Sequence, residues 1–141
     1  MSAPPKILIV EDDPVFRRVL EFSISKAGLS IETAVDGEAG FERLMEGGIS
    51  IMVTDFQMPR CNGLELLQRL QAVEDYQRPP AILCTAKGLE LNGDALRAQF
   101  NLSGILHKPF SPRKLTELIM HCLDEGGHLA GQSYSLGGDQ L

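Results

Sequence analysis

The sequence predicts an α/β fold in which a parallel sheet carries helices on both faces. Two observations predict it. Five short apolar runs rich in β-branched residues alternate along the chain with segments of helical periodicity. Most of the runs are nearly continuously apolar, the pattern of strands buried on both faces rather than of strands with one wet side. At 141 residues the chain has the length of one domain and can bury a real core. It contains no internal repeat and leaves no room for a second domain.

The elements follow in order. KILIV (6–10) is the first strand. Asp13 can cap the helix after it, and Pro14 suits the first helical position, whose N–H would have no partner anyway. Val15, Val19, Leu20 and Ile24 recur at helical spacing until Gly28 stops the helix. SIETAV (30–35) is the second strand. Asp36 caps a helix bearing Ala39, Phe41, Leu44 and Met45, closed by Gly47 and Gly48. ISIMVT (49–54) is the third strand, and Leu64, Leu67 and Leu70 mark the third helix. PAILCT (80–85) is the fourth strand, and a polar stretch over roughly 90–100 is the fourth helix. GILH (104–107) is a short fifth strand. Ser111 caps and Pro112 opens a last helix with Leu115, Leu118, Ile119 and Cys122 on one face. From Gly126 the chain reads GGHLAGQSYSLGGDQL. This is rich in Gly and Ser and poor in apolar content, the composition of a flexible tail or linker. The expected division is a domain over 1–125 and a tail over 126–141.

Composition excludes several function classes. The formal net charge is −6, and Lys and Arg form no run. That weighs against direct binding of nucleic acid or of an anionic membrane. The opening MSAPPKILIV lacks the long apolar core and flanks of a signal peptide. No apolar segment approaches the ~18–20 residues that span a bilayer. Cys61, Cys84 and Cys122 are odd in number and show no CxxC spacing. Free thiols in a reducing cytoplasm fit this better than a disulfide framework.

In an open α/β sheet, ligands sit beyond the carboxyl ends of the strands. Glu11 and Asp12 follow the first strand, Asp55 ends the third, Thr85 ends the fourth, and Lys108 follows the fifth. Each alone has an ordinary explanation: a helix cap, a β-former, a solvated lysine. Together they fall on one edge of one sheet. Three carboxylates packed there repel and raise one another's pKa. A hard divalent cation relieves that repulsion and prefers oxygen ligands; Mg²⁺ typically takes one or two carboxylates together with phosphate oxygens. A lysine and a hydroxyl nearby match the remaining charge and oxygens of a phosphoryl group.

The ordered set ILIVEDD, VTDFQMPRCNG, ILCTA and HKPF resembles the receiver domain of two-component response regulators, over roughly residues 5–124. Each motif alone is weak; the set in this order and spacing is specific. The resemblance implies a flavodoxin-like, doubly wound five-stranded parallel sheet of order 2-1-3-4-5 with five helices. It implies that Asp55 is the phosphoacceptor and that Glu11 and Asp12 form the acid pair that holds Mg²⁺ or Mn²⁺, Asp12 more directly than Glu11. Asp55 and the backbone carbonyl of Gln57 complete the protein's metal ligands. Thr85 would bond the phosphoryl oxygens, Ala86 leave space for them, and Lys108 pair with their charge. Lys108-Pro109 would be a cis peptide. The implied partner is a sensor histidine kinase or a phosphotransfer protein in a phosphorelay. A downstream effector or a second copy of the chain would dock on the face made by the fourth helix, fifth strand and fifth helix. Such a chain is a signalling domain that assists its own phosphorylation and dephosphorylation rather than an enzyme with a separate substrate.

One position departs from the family pattern. The residue three before the strand-five lysine is usually Tyr or Phe, a ring that moves on activation; here it is Ile105. Two variable positions flank the site, Gln57 and Lys87. Two other readings compete. A haloacid-dehalogenase-like phosphatase also uses a strand-end aspartate with Mg²⁺, but its chemistry wants a second acid two residues on, where this chain has Gln57. A degenerate receiver would act by docking without phosphate, and the complete set Glu11, Asp12, Asp55, Thr85 and Lys108 argues against it. No glycine-rich loop follows the first strand, so a Rossmann cofactor site is not expected.

Overall fold

Apolar β-branched runs become buried parallel strands here because the helices that connect them cover the sheet on both faces. The computed structural model describes residues 4–58, 60–86, 93–124 and 134–136. Strands β1 (Lys6–Val10), β2 (Ser30–Ala34), β3 (Ile51–Asp55), β4 (Ala81–Ala86) and β5 (Gly104–Lys108) alternate with helices α1 (Pro14–Lys26), α2 (Gly37–Met45), α3 (Gly63–Gln71), α4 (Gly93–Phe100) and α5 (Pro112–Asp124). The strands run parallel in the order β2-β1-β3-β4-β5. This is the sheet that the sequence predicts.

Strand alternation sends successive side chains to opposite faces, and the core divides accordingly. Ile7, Ile9, Ile51, Val53, Ile82 and Leu106 pack with Leu20 and Ile24 of α1 and with Leu115, Leu118 and Ile119 of α5. Leu8, Val10, Met52, Leu83 and Ile105 pack on the other face with Leu44 of α2, Leu66, Leu67 and Leu70 of α3, and Phe100 of α4. The predicted caps form. Asp13 Oδ1 accepts from the N–H groups of Val15 and Phe16 at 3.0 and 3.4 Å. Asp36 Oδ1 accepts from Ala39 at 2.9 Å, and Ser111 Oγ accepts from Lys114 at 3.2 Å. Asn62 adds another: with Glu65 it closes a capping box at the start of α3.

The apolar face of α1 differs from the expected one. Leu20 and Ile24 are buried, and Phe16 joins them four residues earlier. Val15, Val19 and Phe22 instead stand 72, 44 and 69% exposed. Spacing alone admits both faces, because a Val at 15 or 19 fits a stripe through 20 and 24 nearly as well as a Phe at 16.

The stretch read as a tail supplies one further strand, β6 (Tyr134–Leu136). It pairs parallel to β5, with Gly104 opposite Tyr134 and Leu106 opposite Leu136. A three-residue strand is too short to read from sequence pattern. The remainder of the predicted tail lies outside the described residues.

Candidate functional site

The carboxyl ends of β1, β3 and β5 bring four of the predicted residues together. β1 ends at Val10, so Glu11 and Asp12 turn over the sheet edge; Glu11 N–H still donates to Ala34 C=O at 3.0 Å. Asp55 is the last residue of β3. Lys108 is the last residue of β5 and is joined to Pro109 by a cis peptide. Carboxylate oxygens of Glu11, Asp12 and Asp55 lie within 4.8 Å of one another. The Lys108 ammonium sits 3.0 Å from Asp55 Oδ1 and 3.3 Å from Glu11 Oε1.

Backbone packing fixes these positions. Phe56 N–H donates to Cys84 C=O at 2.7 Å, and Gly63 N–H donates to Phe56 C=O at 2.9 Å. This draws the start of α3 against the end of β3. A Cβ at Gly63 would stand 2.5 Å from the Asp55 carbonyl oxygen, so only glycine allows the approach. Glu11 is braced on both sides: Arg17 donates to its carbonyl at 2.8 Å, and its Oε2 accepts the Asp13 N–H at 3.1 Å. The loop after Asp55 is tied down at Arg60, which adopts a left-handed φ of 67°. Its guanidinium forms an ion pair with Asp36, the cap of α2, with Nε donating to Oδ2 at 2.9 Å.

The electrostatics follow from burial. Glu11 is 2% and Asp55 7% exposed. Loss of water pushes the Asp55 carboxyl above its ordinary 3.8; the Lys108 hydrogen bond and charge pull it back without offsetting that, and the Asp12 charge adds to the rise. Glu11 is raised for the same first reason, against the Asp13 N–H that favours its charged form. Burial works against the Lys108 charge, but the bond to Asp55 and the two carboxylates hold its pKa above 10.5. Three acids against one base leave the cluster short of positive charge.

The donor set suits a hard divalent cation, since it offers only carboxylate oxygens in a tight group. Thr85 supplies a second sign of something missing. Its Oγ1 is buried with no hydrogen-bond partner among the described residues, a state that costs about 1–3 kcal/mol unless a ligand satisfies it. Thr85 pairs in register with His107, one residue before the pairing of Ala86 with Lys108. The Gln57 side chain is exposed, two residues past Asp55. Lys87 lies outside the described residues.

Three buried thiols stay clear of this chemistry. Cys61, Cys84 and Cys122 are free, and burial pushes the Cys84 thiol strongly up and that of Cys122 up to about 11. Sequence reading missed two residues beside the site. Arg17 holds Glu11 through a backbone carbonyl, which leaves no motif. The Phe16 ring centroid lies 5.0 Å from Lys108 Nζ; its place four residues before Leu20 is the signal that could have found it.

The model for the response regulator receiver domain matches residues 7–120. A "Chemotaxis protein CheY homolog" of Campylobacter jejuni is 30% identical over 124 residues, covering 86% of this chain and 94% of its own. "Hybrid signal transduction histidine kinase D" of Dictyostelium discoideum is 33% identical over 84% of this chain, which spans only 8% of that protein. The chain spans 56% of a "Probable transcriptional regulator ycf29" of Porphyra purpurea, at 28% identity over 83% of this chain. Among solved structures, a CheY-like response regulator receiver domain protein from Methanospirillum hungatei superposes with a TM-score of 0.77 at 23% identity, over 89% of this chain and 98% of that one. A putative response regulator from Chloroflexus aurantiacus gives 0.73 at 26% identity, over 86% and 99%.

Proposed function

Because the chain belongs to the response regulator receiver family of two-component signal transduction, we propose that Asp55 accepts a phosphoryl group from a histidine kinase or phosphotransfer protein. The observation that carries this is the Asp55 carboxylate at a strand end, 3.0 Å from Lys108 and grouped with Glu11 and Asp12. A buried nucleophile whose counter-charges are already in position needs little reorganisation when negative charge arrives.

An Asp55 oxygen attacks the phosphorus of the donor's phosphohistidine, forms the P–O bond of an acyl phosphate and displaces the imidazole nitrogen. Lys108 pairs with the charge of the phosphoryl oxygens. The Thr85 hydroxyl donates to one of them, which supplies its missing partner. Glu11, Asp12, Asp55 and the Gln57 carbonyl would hold Mg²⁺ or Mn²⁺, which would supply positive charge to the phosphoryl group. The chain acts as a phosphoacceptor in signalling rather than as an enzyme on a separate substrate, and it works in the cytoplasm. Among its described residues no helix is long and apolar enough to cross a membrane.

The exposed row Val15, Val19 and Phe22 supports docking of the phosphodonor on α1. It runs at i, i+4, i+7 from the end of the helix that adjoins the acid cluster, and an apolar stripe of that spacing suits a partner helix. Output passes to an effector or a second copy through the face made by α4, β5 and α5.

The test is to incubate the protein with a small phosphodonor and Mg²⁺ and weigh it. The wild type gains one phosphoryl mass that persists, and Asp55→Asn gains none. An equal gain in the variant rejects Asp55. Turnover of the donor without a labelled protein favours a phosphatase, and neither labelling nor turnover favours a docking module.

A further inference from the structure

The two edges of the five-stranded sheet are protected in different ways. β2 runs along one edge, with Ser30, Ile31 and Glu32 half-buried and Thr33 exposed. Glu32 puts a charge there, paired to Lys6 at 2.9 Å and to Arg43 at 2.5 Å. Charge on an edge strand discourages pairing with another chain. β5 lies along the opposite side, and its first three residues, Gly104, Ile105 and Leu106, carry no charge and are all buried. These are the residues that pair with Tyr134, Ser135 and Leu136 of β6. His107 and Lys108, past the end of that register, are half-buried. The full burial of β5 ends where β6 ends.

β6 lies on the part of the molecule read above as the route of output. Leu96 and Phe100 of α4 pack on one side of the sheet, and Leu115, Leu118 and Ile119 of α5 pack on the other. The outer edge of β5 is therefore the middle of the face made by α4, β5 and α5. We propose that this edge is a strand-accepting site, that residues 134–136 of the same chain are its occupant, and that their pairing keeps a second copy of the chain off the face. This rests on the reading of that face as the output surface.

Recognition here is by backbone. An edge strand presents a row of N–H and C=O groups, and an extended segment in register satisfies them. A second copy that docks on β5 needs those same groups or the space beside them. Three residues of pairing make few hydrogen bonds, each worth little net. The occupant therefore lowers the affinity of a second copy by the fraction of time it holds the edge, rather than closing the face outright.

The test uses the full chain and Ser135→Pro, which places a residue without an N–H in the middle of β6. Asp139→Pro, three residues past the strand, is the control. Hydrogen exchange, read by mass on a peptide covering 104–106, reports the pairing. Ser135→Pro should exchange severalfold faster there than wild type, and Asp139→Pro should not. Sedimentation of each protein with Mg²⁺ and acetyl phosphate reports association of copies. Ser135→Pro should tighten dimerisation about two- to tenfold, the worth of one backbone hydrogen bond taken from the competing strand. Unchanged exchange in Ser135→Pro overturns the strand site. Faster exchange with unchanged dimerisation overturns the exclusion of a second copy. Weaker dimerisation in Ser135→Pro means that the segment pairs between copies, and overturns its assignment to the same chain. If none of the proteins dimerises, the reading of the face as an output surface for a second copy fails and the exclusion falls with it, while the exchange result still judges the strand site by itself.

Discussion

Lys108 Nζ lies 3.0 Å from Asp55 and 3.3 Å from Glu11, so one ammonium bridges two buried carboxylates at the edge of the sheet. It is the cluster's own positive charge, and the pairing has a measurable consequence. Lys108→Ala leaves Asp55 and Glu11 facing each other and Asp12 uncompensated. The Lys108 side chain is 27% exposed, so the loss should fall below the 3–5 kcal/mol of a fully buried pair, at about 1–3 kcal/mol. Mg²⁺ should restore part of it by supplying charge to the same oxygens. Melting temperatures in chelator and in Mg²⁺ check this. An equal deficit in both would show that Lys108 and the metal site are independent.

Asp12 should matter to metal more than to folding. Ligand binding to the folded state alone adds about 2.7 kcal/mol at a hundredfold excess over Kd. Asp12→Asn keeps the shape and removes a charged ligand, so the Mg²⁺-induced rise in melting temperature should shrink severalfold. Labelling of Asp55 by a small phosphodonor should cease in excess chelator. Undiminished labelling there would sink the metal role.

Glu32 gives the pH dependence a definite sign. Arg43 reaches it at 2.5 Å and Lys6 at 2.9 Å, and their hydrogen bonds hold its pKa down at about 2 against an ordinary 4.5. A lowered carboxyl pKa stabilises the fold fully above 4.5, and that contribution drains away as pH falls through about 2. Glu32→Gln should therefore be less stable than wild type above pH 4.5 and converge with it near pH 2. Glu32 is 32% exposed, so solvent screens the pair and the gap should be about 1 kcal/mol or less. Urea midpoints across that range test it; a gap independent of pH would mean Glu32 acts through packing.

The sheet was legible because strand burial on two faces leaves continuous apolar runs, and the acid set because four strand ends share one edge. The strand-end positions of Asp55 and of Glu11 and Asp12 could be read from the apolar runs before them, but only the ordered set of motifs joined them into one candidate site. What escaped reading lies where two distant segments meet. Phe16 comes beside Lys108 only once the turn at Phe110 packs on it, and Arg17 acts through a carbonyl that any residue would present. Arg60 combines a left-handed φ with an ion pair to Asp36 across the loop, and no local signal marks such a pairing. Val15 and Val19 look like core residues in sequence, because an exposed apolar stripe and an apolar core face share one period.

The last prediction concerns Ile105, where the family pattern has an aromatic ring. Ile105 is 2% exposed and packs with Leu83, Phe100 and Leu102 on the α4 side of the sheet. A Cβ built on Gly93 would lie 3.6 Å from its Cδ1, so its tip sits under the first turn of α4. A β-branched side chain is stiff at χ1 and bears no hydroxyl; it cannot swing outward and present a hydrogen-bonding tip. The buried Thr85 Oγ1 has no hydrogen-bond partner among the described residues, so a shift toward a phosphoryl group would break no side-chain hydrogen bond. We propose that the two-state element biased by phosphate is Thr85 with the start of α4, with Ile105 lying beneath that helix turn. Ile105→Ala should cost about 2–5 kcal/mol as a buried truncation yet leave labelling of Asp55 nearly unchanged. Thr85→Ala should label and fail to signal. Phosphate-dependent association with a partner or a second copy, measured for both variants at a temperature where each is folded, separates the two roles. Loss of association in Ile105→Ala with retention in Thr85→Ala would place the coupling in the strand-five side chain and overturn this account.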